Sequence, residues 1–368
     1  VSAAASLSND DVYKIFTALA DRYELIGDKP IGEKSGFGAV WRAKDNWLSC
    51  DVAIKISDCD LRDEIRICRE IDGETVRIFD YYCTTDGWHA YTMELLQKPW
   101  TTLSSYIDHH KYKPNDIQHY FDVFELIRAA LHGLNTLHGK PYQRQGCFVH
   151  ADIKPANLFV LIKPKKQVFS VFRMPAHSEM IKIIDLGVSV KKGDPVIGYT
   201  RAYRPEGVTE GGPGFDLYAL AVSLVELLTG KRPTHKQMAD KRLIKKALAK
   251  YPSGSVYLDC FALDFVTKSK HAFTQKSVTA RSLLQFLDDQ LFNVEPLSLL
   301  CLRHLTKFVS NPLSKADMAN VLYPVLAKYW GWKNHTAKRL DFTKDYIAQL
   351  YTDGFLLKMD QQNRYFVR

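Results

Sequence analysis

No stretch of this 368-residue chain is long and apolar enough to cross a bilayer as a helix, which takes ~20 residues. The longest apolar run, Phe215 to Leu228, is broken by Asp216 and Glu226. The first ten residues carry no Lys or Arg and no apolar run, so they do not read as a secretory leader. Cysteine is sparse: the seven (Cys50, Cys59, Cys68, Cys83, Cys147, Cys260, Cys301) are odd in number and include no C-x-x-C pair. That argues against a disulfide framework and a structural zinc site. A reducing, cytoplasmic setting is therefore expected, in its own cell or in one into which it is delivered. Internal repeats, low-complexity linkers and the profile of a disordered chain are also missing, since apolar residues make up 46% and charged residues 25%. The net charge of +9 favours acidic contacts but selects no partner by itself, and nucleic acid is not expected as one.

What is present is a change of period along the chain. Ser8 and Asp11 have the form of a capping box before Val12, Ile15, Phe16 and Leu19, which predicts a short N-terminal helix. Strand-like runs follow at Tyr23 to Ile26, Ala39 to Ala43 and Val52 to Ile56. Arg62 to Ile71 then places Ile65, Cys68 and Ile71 on one helical face, and strands resume at Thr75 to Tyr82 and His89 to Glu94. After residue 97 helices dominate, Phe121 to Leu137 and Asp216 to Leu228 being the clearest. Strands first and helices second predict an α+β fold with segregated layers. Gly139 to Gly146, Lys163 to Met180 and Lys231 to Pro296 read as irregular insertions.

The segment richest in chemistry is His150-Ala151-Asp152-Ile153-Lys154-Pro155-Ala156-Asn157. A loop with an Asp, a Lys two residues on and an Asn five on can aim a base, a cation and a metal-binding oxygen at one point. Ordinary turn chemistry has no need of that combination. It resembles the catalytic loop of the eukaryotic-type Ser/Thr protein kinases, H-x-D-x-K-x-x-N, and further segments follow the same family in order. The resemblance implies Asp152 as catalytic base, Lys154 beside the transferring phosphoryl group and Asn157 as a magnesium ligand. Asp185, in Asp185-Leu186-Gly187, looks like the second magnesium ligand. Val52-Ala53-Ile54-Lys55 matches the strand whose Lys holds the nucleotide phosphates. Its partner acid is expected to be Glu64, chosen over Glu70.

Ile31-Gly32-Glu33-Lys34-Ser35-Gly36-Phe37-Gly38-Ala39-Val40 resembles the glycine-rich phosphate loop, with its glycines spaced as if one residue were inserted. Ile31, Gly32, Gly36, Gly38, Val40 and Ala53 are then expected around the nucleotide. Met93 is expected at the back of the adenine pocket, with the backbone of Glu94 and Leu96 bonding the base. Pro205-Glu206 stands where the activation segment ends, Arg204 replacing the family's Ala, and Lys315 is a candidate partner for Glu206. Asp216 is expected to bond the catalytic-loop backbone.

By this resemblance the chain divides into an N-terminal helical extension (1–22), a small antiparallel sheet lobe (23–96), a larger mainly helical lobe (97–322) and a helix-plus-hairpin extension (323–368). The implied activity is ATP- and magnesium-dependent phosphoryl transfer to protein Ser or Thr. Small-molecule kinases and non-catalytic scaffolds share parts of the pattern. The family's Arg before the catalytic Asp is here Ala151, so no buried guanidinium awaits a phosphate and activity is expected without activation-loop phosphorylation.

Two regions lie outside the pattern. Lys231 to Lys250 holds eight Lys or Arg and one acid, Asp240, and could dock an acidic partner, but the expected reading is a solvated helix face with a buried apolar stripe. The tail reads as a helix over Thr343 to Leu350 and a hairpin over Leu356 to Val367. Helix then hairpin also ends winged-helix domains, but the stretch looks too short for one, so a tail packed on the body is expected.

Overall fold

A computed structural model describes the chain except for residues 1–8, 32–37, 72, 86, 140–146, 162–180, 254–255, 293–304, 306–312, 330–336, 353–355, 360–363 and 368. Gly32 and Gly36 of the expected phosphate loop lie outside the described residues, as do residues 140–146 and 163–180 of the expected insertions.

In α1 (Asn9–Ala18) the side chains Val12, Ile15 and Phe16 recur at helical spacing and, with Leu19 beyond it, are buried. They share a cluster with the outer face of a five-stranded antiparallel sheet: β1 (Tyr23–Leu25), β2 (Ala39–Asp45), β3 (Cys50–Ser57), β4 (Ile78–Cys83) and β5 (His89–Glu94). The strands run in the order β1-β2-β3-β5-β4. Period two sorts β3, because Val52, Ile54 and Ile56 join Trp41 and α1 outside while Ala53 and Lys55 project from the other face. On that side lies α2 (Arg62–Glu70), whose Ile65, with Leu61, packs on Tyr91 and Met93.

The larger lobe begins with β6 (Trp100–Thr102), whose Thr102 side chain accepts from Ser105 N at 3.0 Å and starts α3 (Leu103–His109). Next come α4 (Ile117–Leu137), β7 (Phe148–Val149), β8 (Leu158–Leu161), β9 (Ile181–Ile183), β10 (Val190–Lys191) and α5 (Pro213–Thr229). β6, β8 and β9 form one sheet, and β7 pairs with β10. α5 is buried at 15 of its 17 positions, the mark of a helix that is apolar all round, and it ends where Gly230 takes φ 66°.

Within Lys231 to Pro296, expected to be irregular, the described residues instead form α6 (His235–Ala239), α7 (Lys241–Leu248), α8 (Val256–Lys270) and α9 (Ala280–Leu287). The signal was available in α8, where Leu258, Phe261, Ala262, Phe265 and Val266 fall at helical spacing and are buried. The Lys-rich opening and the Pro252-Ser253-Gly254 break obscured it.

The tail holds β11 (Leu313–Ser314), α10 (Lys315–Tyr329), α11 (Ala337–Thr352), β12 (Leu356–Met359) and β13 (Arg364–Val367). α10 runs across the expected boundary at 322. The tail sheet has the order β11-β13-β12, with Leu313 opposite Tyr365 and Leu356 opposite Val367. The tail is thus a strand, two helices and a hairpin, with the first strand beside the last. The tail also packs on the body: Met318, Leu322, Leu326, Ile347 and Leu350 belong to the same apolar cluster as α4, α5 and α9. No described helix is long and apolar enough to cross a membrane.

Candidate active site

Lys55 leaves the inner face of β3 only 3% exposed, and burial alone would favour its neutral amine. Glu64 and Asp185 outweigh that cost and hold its pKa above the ordinary value. Its Nζ donates to Glu64 Oε1 and Oε2 at 2.8 and 2.9 Å and to Asp185 Oδ1 at 3.1 Å. Tyr91, opposite Lys55 in the β3–β5 register, donates its hydroxyl to Glu64 Oε1 at 3.0 Å. A sheet residue, a helix residue and a residue 130 positions downstream thus share one ammonium. Burial pushes the Asp185 carboxyl toward protonation, but Lys55 overrides this and holds it below its ordinary range.

The catalytic-loop residues are fixed through their backbone. The fully buried Asp216 carboxylate accepts from His150 N at 2.8 Å and from Ala151 N at 2.9 Å. The third partner, His138 Nε2 at 2.9 Å, could not be anticipated, because no spacing links the end of α4 to the start of α5. Ala151 has φ 67° and Asp185 φ 62°, left-handed conformations uncommon for residues with a Cβ and sustained here by surrounding contacts. His150 Nδ1 accepts from Asp152 N at 3.2 Å, which leaves the proton on Nε2 to donate to Ile184 O at 3.0 Å. The imidazole therefore links the Asp152 loop directly to the residue before Asp185.

Asp152 Oδ2 accepts from Lys154 Nζ at 2.7 Å and Asn157 Nδ2 at 3.3 Å, and Oδ1 accepts from Thr200 N at 2.7 Å. Lys154 also donates to Thr200 Oγ1 at 3.0 Å, an activation-segment contact that motif reading missed. Asn157 sits beside Ile184, whose N–H donates to its carbonyl at 3.0 Å, because Leu158 pairs with Ile183 across β8 and β9. Asp152, Lys154, Asn157, Asp185, Lys55 and Glu64 are therefore connected through a single run of contacts.

The expected nucleotide-contacting residues lie nearby in the sheet. Val40 pairs with Lys55, Ala53 pairs with Met93, and Ile31 N donates to Val40 O at 2.7 Å. Gly38 takes φ 121°, and a Cβ there would meet Ile56 O at 2.3 Å, so this position requires glycine. Met93 and Leu96 are half-buried. Glu94 N–H donates to Arg77 O at 2.9 Å, so a base contact at Glu94 cannot use that N–H. The Glu94 carboxylate lies 3.5 Å from Lys182 Nζ, which also donates to Gly73 O and Thr75 O at 3.0 Å each.

Ala151 belongs to an apolar cluster with Val149, Val188, Val190 and Phe215, joined by Val196 and Val208. These side chains attach the activation segment to the catalytic loop without a charge. Arg204 donates Nε to Val208 O at 3.0 Å and lies 4.0 Å from the Tyr199 ring centroid. Among the described residues no ion pair joins Lys315 to Glu206, which is exposed, so that pairing is not made.

Magnesium is commonly held by one or two protein oxygens, with phosphates and waters completing its shell. Asn157 and Asp185 fit that role. The Asn157 amide nitrogen donates to Asp152 O at 2.9 Å, leaving the amide oxygen as an acceptor, and the Asp185 side chain retains 27% exposure.

Residues 28–298 match the family profile described as the protein kinase domain. Serine/threonine-protein kinase A of Synechocystis is 31% identical over 240 residues, covering 58% of this chain and 42% of that protein. Serine/threonine-protein kinase ppk11 of Schizosaccharomyces pombe is 30% identical over 219 residues, 55% of this chain and 61% of its own. Serine/threonine-protein kinase ArnS of Sulfolobus acidocaldarius is 33% identical over 124 residues, 32% of this chain and 19% of its own. The matched part is thus less than two thirds of each relative's length.

Proposed function

From the premise that this chain belongs to the protein kinase family, we propose that it transfers the γ-phosphoryl group of magnesium ATP to Ser or Thr hydroxyls of protein substrates. The observation that carries this reading is the reach of Lys55, from the sheet lobe, to Asp185, from the helical lobe, at 3.1 Å with Glu64 behind it. ATP with its magnesium supplies the phosphoryl group and spreads the developing charge. Lys55, kept cationic by Glu64, binds phosphate oxygens, while Asn157 and Asp185 would hold the metal. Asp152 orients the substrate hydroxyl and takes its proton. Its carboxylate is held on both oxygens before substrate arrives, which lowers the cost of positioning. Lys154, on Asp152 and Thr200, neutralises charge at the transferring group.

The apolar cluster around Ala151 supports activity without activation-loop phosphorylation, because it performs by packing what an Arg and a phosphate would do by charge. Incubation with labelled ATP, magnesium and a casein-like protein, set against aminoglycosides and sugars, tests the activity. Protein labelling that disappears in Asp152→Ala, with nucleotide-induced thermal stabilisation retained, is expected. No labelling, with no shift in melting temperature on adding magnesium ATP, would leave only a scaffold.

A further inference from the structure

Resting on that reading, we propose that the substrates are acidic: Asp, Glu or phosphorylated side chains flank the acceptor hydroxyl and are held by Arg201, Lys231, Arg232 and Lys236. The position of these cations is what distinguishes them from an ordinary solvated face. Thr200 touches both Asp152 and Lys154, so Arg201, the next residue, stands at the edge of the transfer site. The carbonyl of Arg201 accepts from His235 Nε2 at 3.0 Å, which seats the start of α6 directly on the activation segment. The Arg232 guanidinium lies 5.6 Å from the Tyr203 ring centroid, and Tyr203 is itself buried with its hydroxyl on Glu226 at 2.5 Å.

The far end of α6 is pinned as well. The buried Lys270 donates its ammonium to Met238 O at 2.6 Å and to Ala239 O at 3.2 Å. Thr234 and Gln237 close a capping box at its beginning. The backbone that carries these cations is therefore already fixed, so only side-chain freedom is lost when they meet an anion. Arg201, Lys231, Arg232 and Lys236 are all exposed. Among the described residues Arg201, Lys231 and Lys236 form no ion pair, whereas Arg232 faces the Glu226 carboxylate. The nearby acids Glu206 and Glu210 are exposed, and Glu210 bridges Pro195 on the other arm of the activation segment. Lys241 of α7 is already spent on Asp264 at 3.0 Å.

Three peptides with one central Ser, flanked by Glu, by Gln or by Lys, test the idea with the whole 368-residue chain. The Glu-flanked peptide should exceed the Gln-flanked one by about tenfold in kcat/KM, through KM, with the advantage shrinking as salt rises. Arg201→Glu with Lys236→Glu should reduce that ratio to about one or below, while Arg242→Glu with Lys246→Glu, on α7, should leave the ratio as it is. Equal kcat/KM across the three peptides, or preference for Lys, overturns the proposal while leaving phosphoryl transfer intact. Failure to label any peptide or protein at all defeats both readings together.

Discussion

Replacing Asp216 separates a wiring role from mere helix capping. Its carboxylate is fully buried and accepts three hydrogen bonds, from His150 N, Ala151 N and His138 Nε2. Bonds to a charged acceptor contribute about 1.5–3 kcal/mol each, and a buried donor left without a partner costs about 1–3 kcal/mol. Asp216→Ala orphans both backbone donors, so a loss of about 4 kcal/mol or more is expected, a large share of the ~5–15 kcal/mol a folded protein has. Asp216→Asn keeps one accepting oxygen for Ala151, and His138 can switch tautomer to accept from the new amide, since its Nδ1 has no partner. The His150 N–H is then stranded, while His138 Nδ1, already without a partner, exchanges an unpaired lone pair for an unpaired N–H, and the loss should be about 2 kcal/mol. Urea unfolding followed by tryptophan fluorescence gives the two values, and peptide labelling gives the activity. Activity should fall in both, because Ala151 holds its left-handed φ of 67° against that carboxylate. If Asp216→Ala unfolds within ~0.5 kcal/mol of wild type and keeps its activity, the carboxylate does not hold the loop.

Other consequences follow from the same contacts. Phosphatase-treated protein carrying Ser189→Ala and Tyr199→Phe, with Thr200 kept because its hydroxyl holds Lys154, should keep initial activity within about tenfold of wild type, and activity that returns only after rephosphorylation would show that a loop phosphate is required. Gly38→Ala should lower the affinity for magnesium ATP in a thermal-shift titration, because its Cβ collides with the Ile56 carbonyl and φ 121° is strained for alanine. His119 stacks on His110 at 3.8 Å, donates Nε2–H to Leu227 O at 2.9 Å and is held by burial at a pKa of about 4. The unfolded chain takes up this proton below pH ~6.5 while the folded one resists it until about pH 4, so stability falls with pH across that window by about 3 kcal/mol. Urea midpoints for wild type and His119→Gln at pH 7 and pH 5 check it, since the variant should lose less on acidification.

Contacts written into short local motifs were the legible ones. The choice of Glu64 over Glu70 followed from the phase of one helix relative to the next strand, and those residues do meet at 2.8 Å. The Asp152-to-Asn157 spacing works within one loop, so sequence distance and spatial distance nearly coincide. Thr200 on Lys154 and His138 on Asp216 are different, joining residues 46 and 78 positions apart whose encounter depends on how whole helices pack. The Glu94 N–H was lost to Arg77 for the same reason, since strand pairing decides which backbone donors remain available. β11 is too short to show a period and is visible only through its partner β13.

The sharing of one core between lobe and tail has a practical corollary for anyone trimming the gene. The profile match stops at residue 298, an inviting place to end a shortened version. Yet Met318, Leu322, Leu326, Ile347 and Leu350 are buried in the same apolar mass as the helices of the catalytic lobe. Cutting there would leave a greasy flank facing solvent, and the shortened protein should clump on expression even if every catalytic side chain were retained.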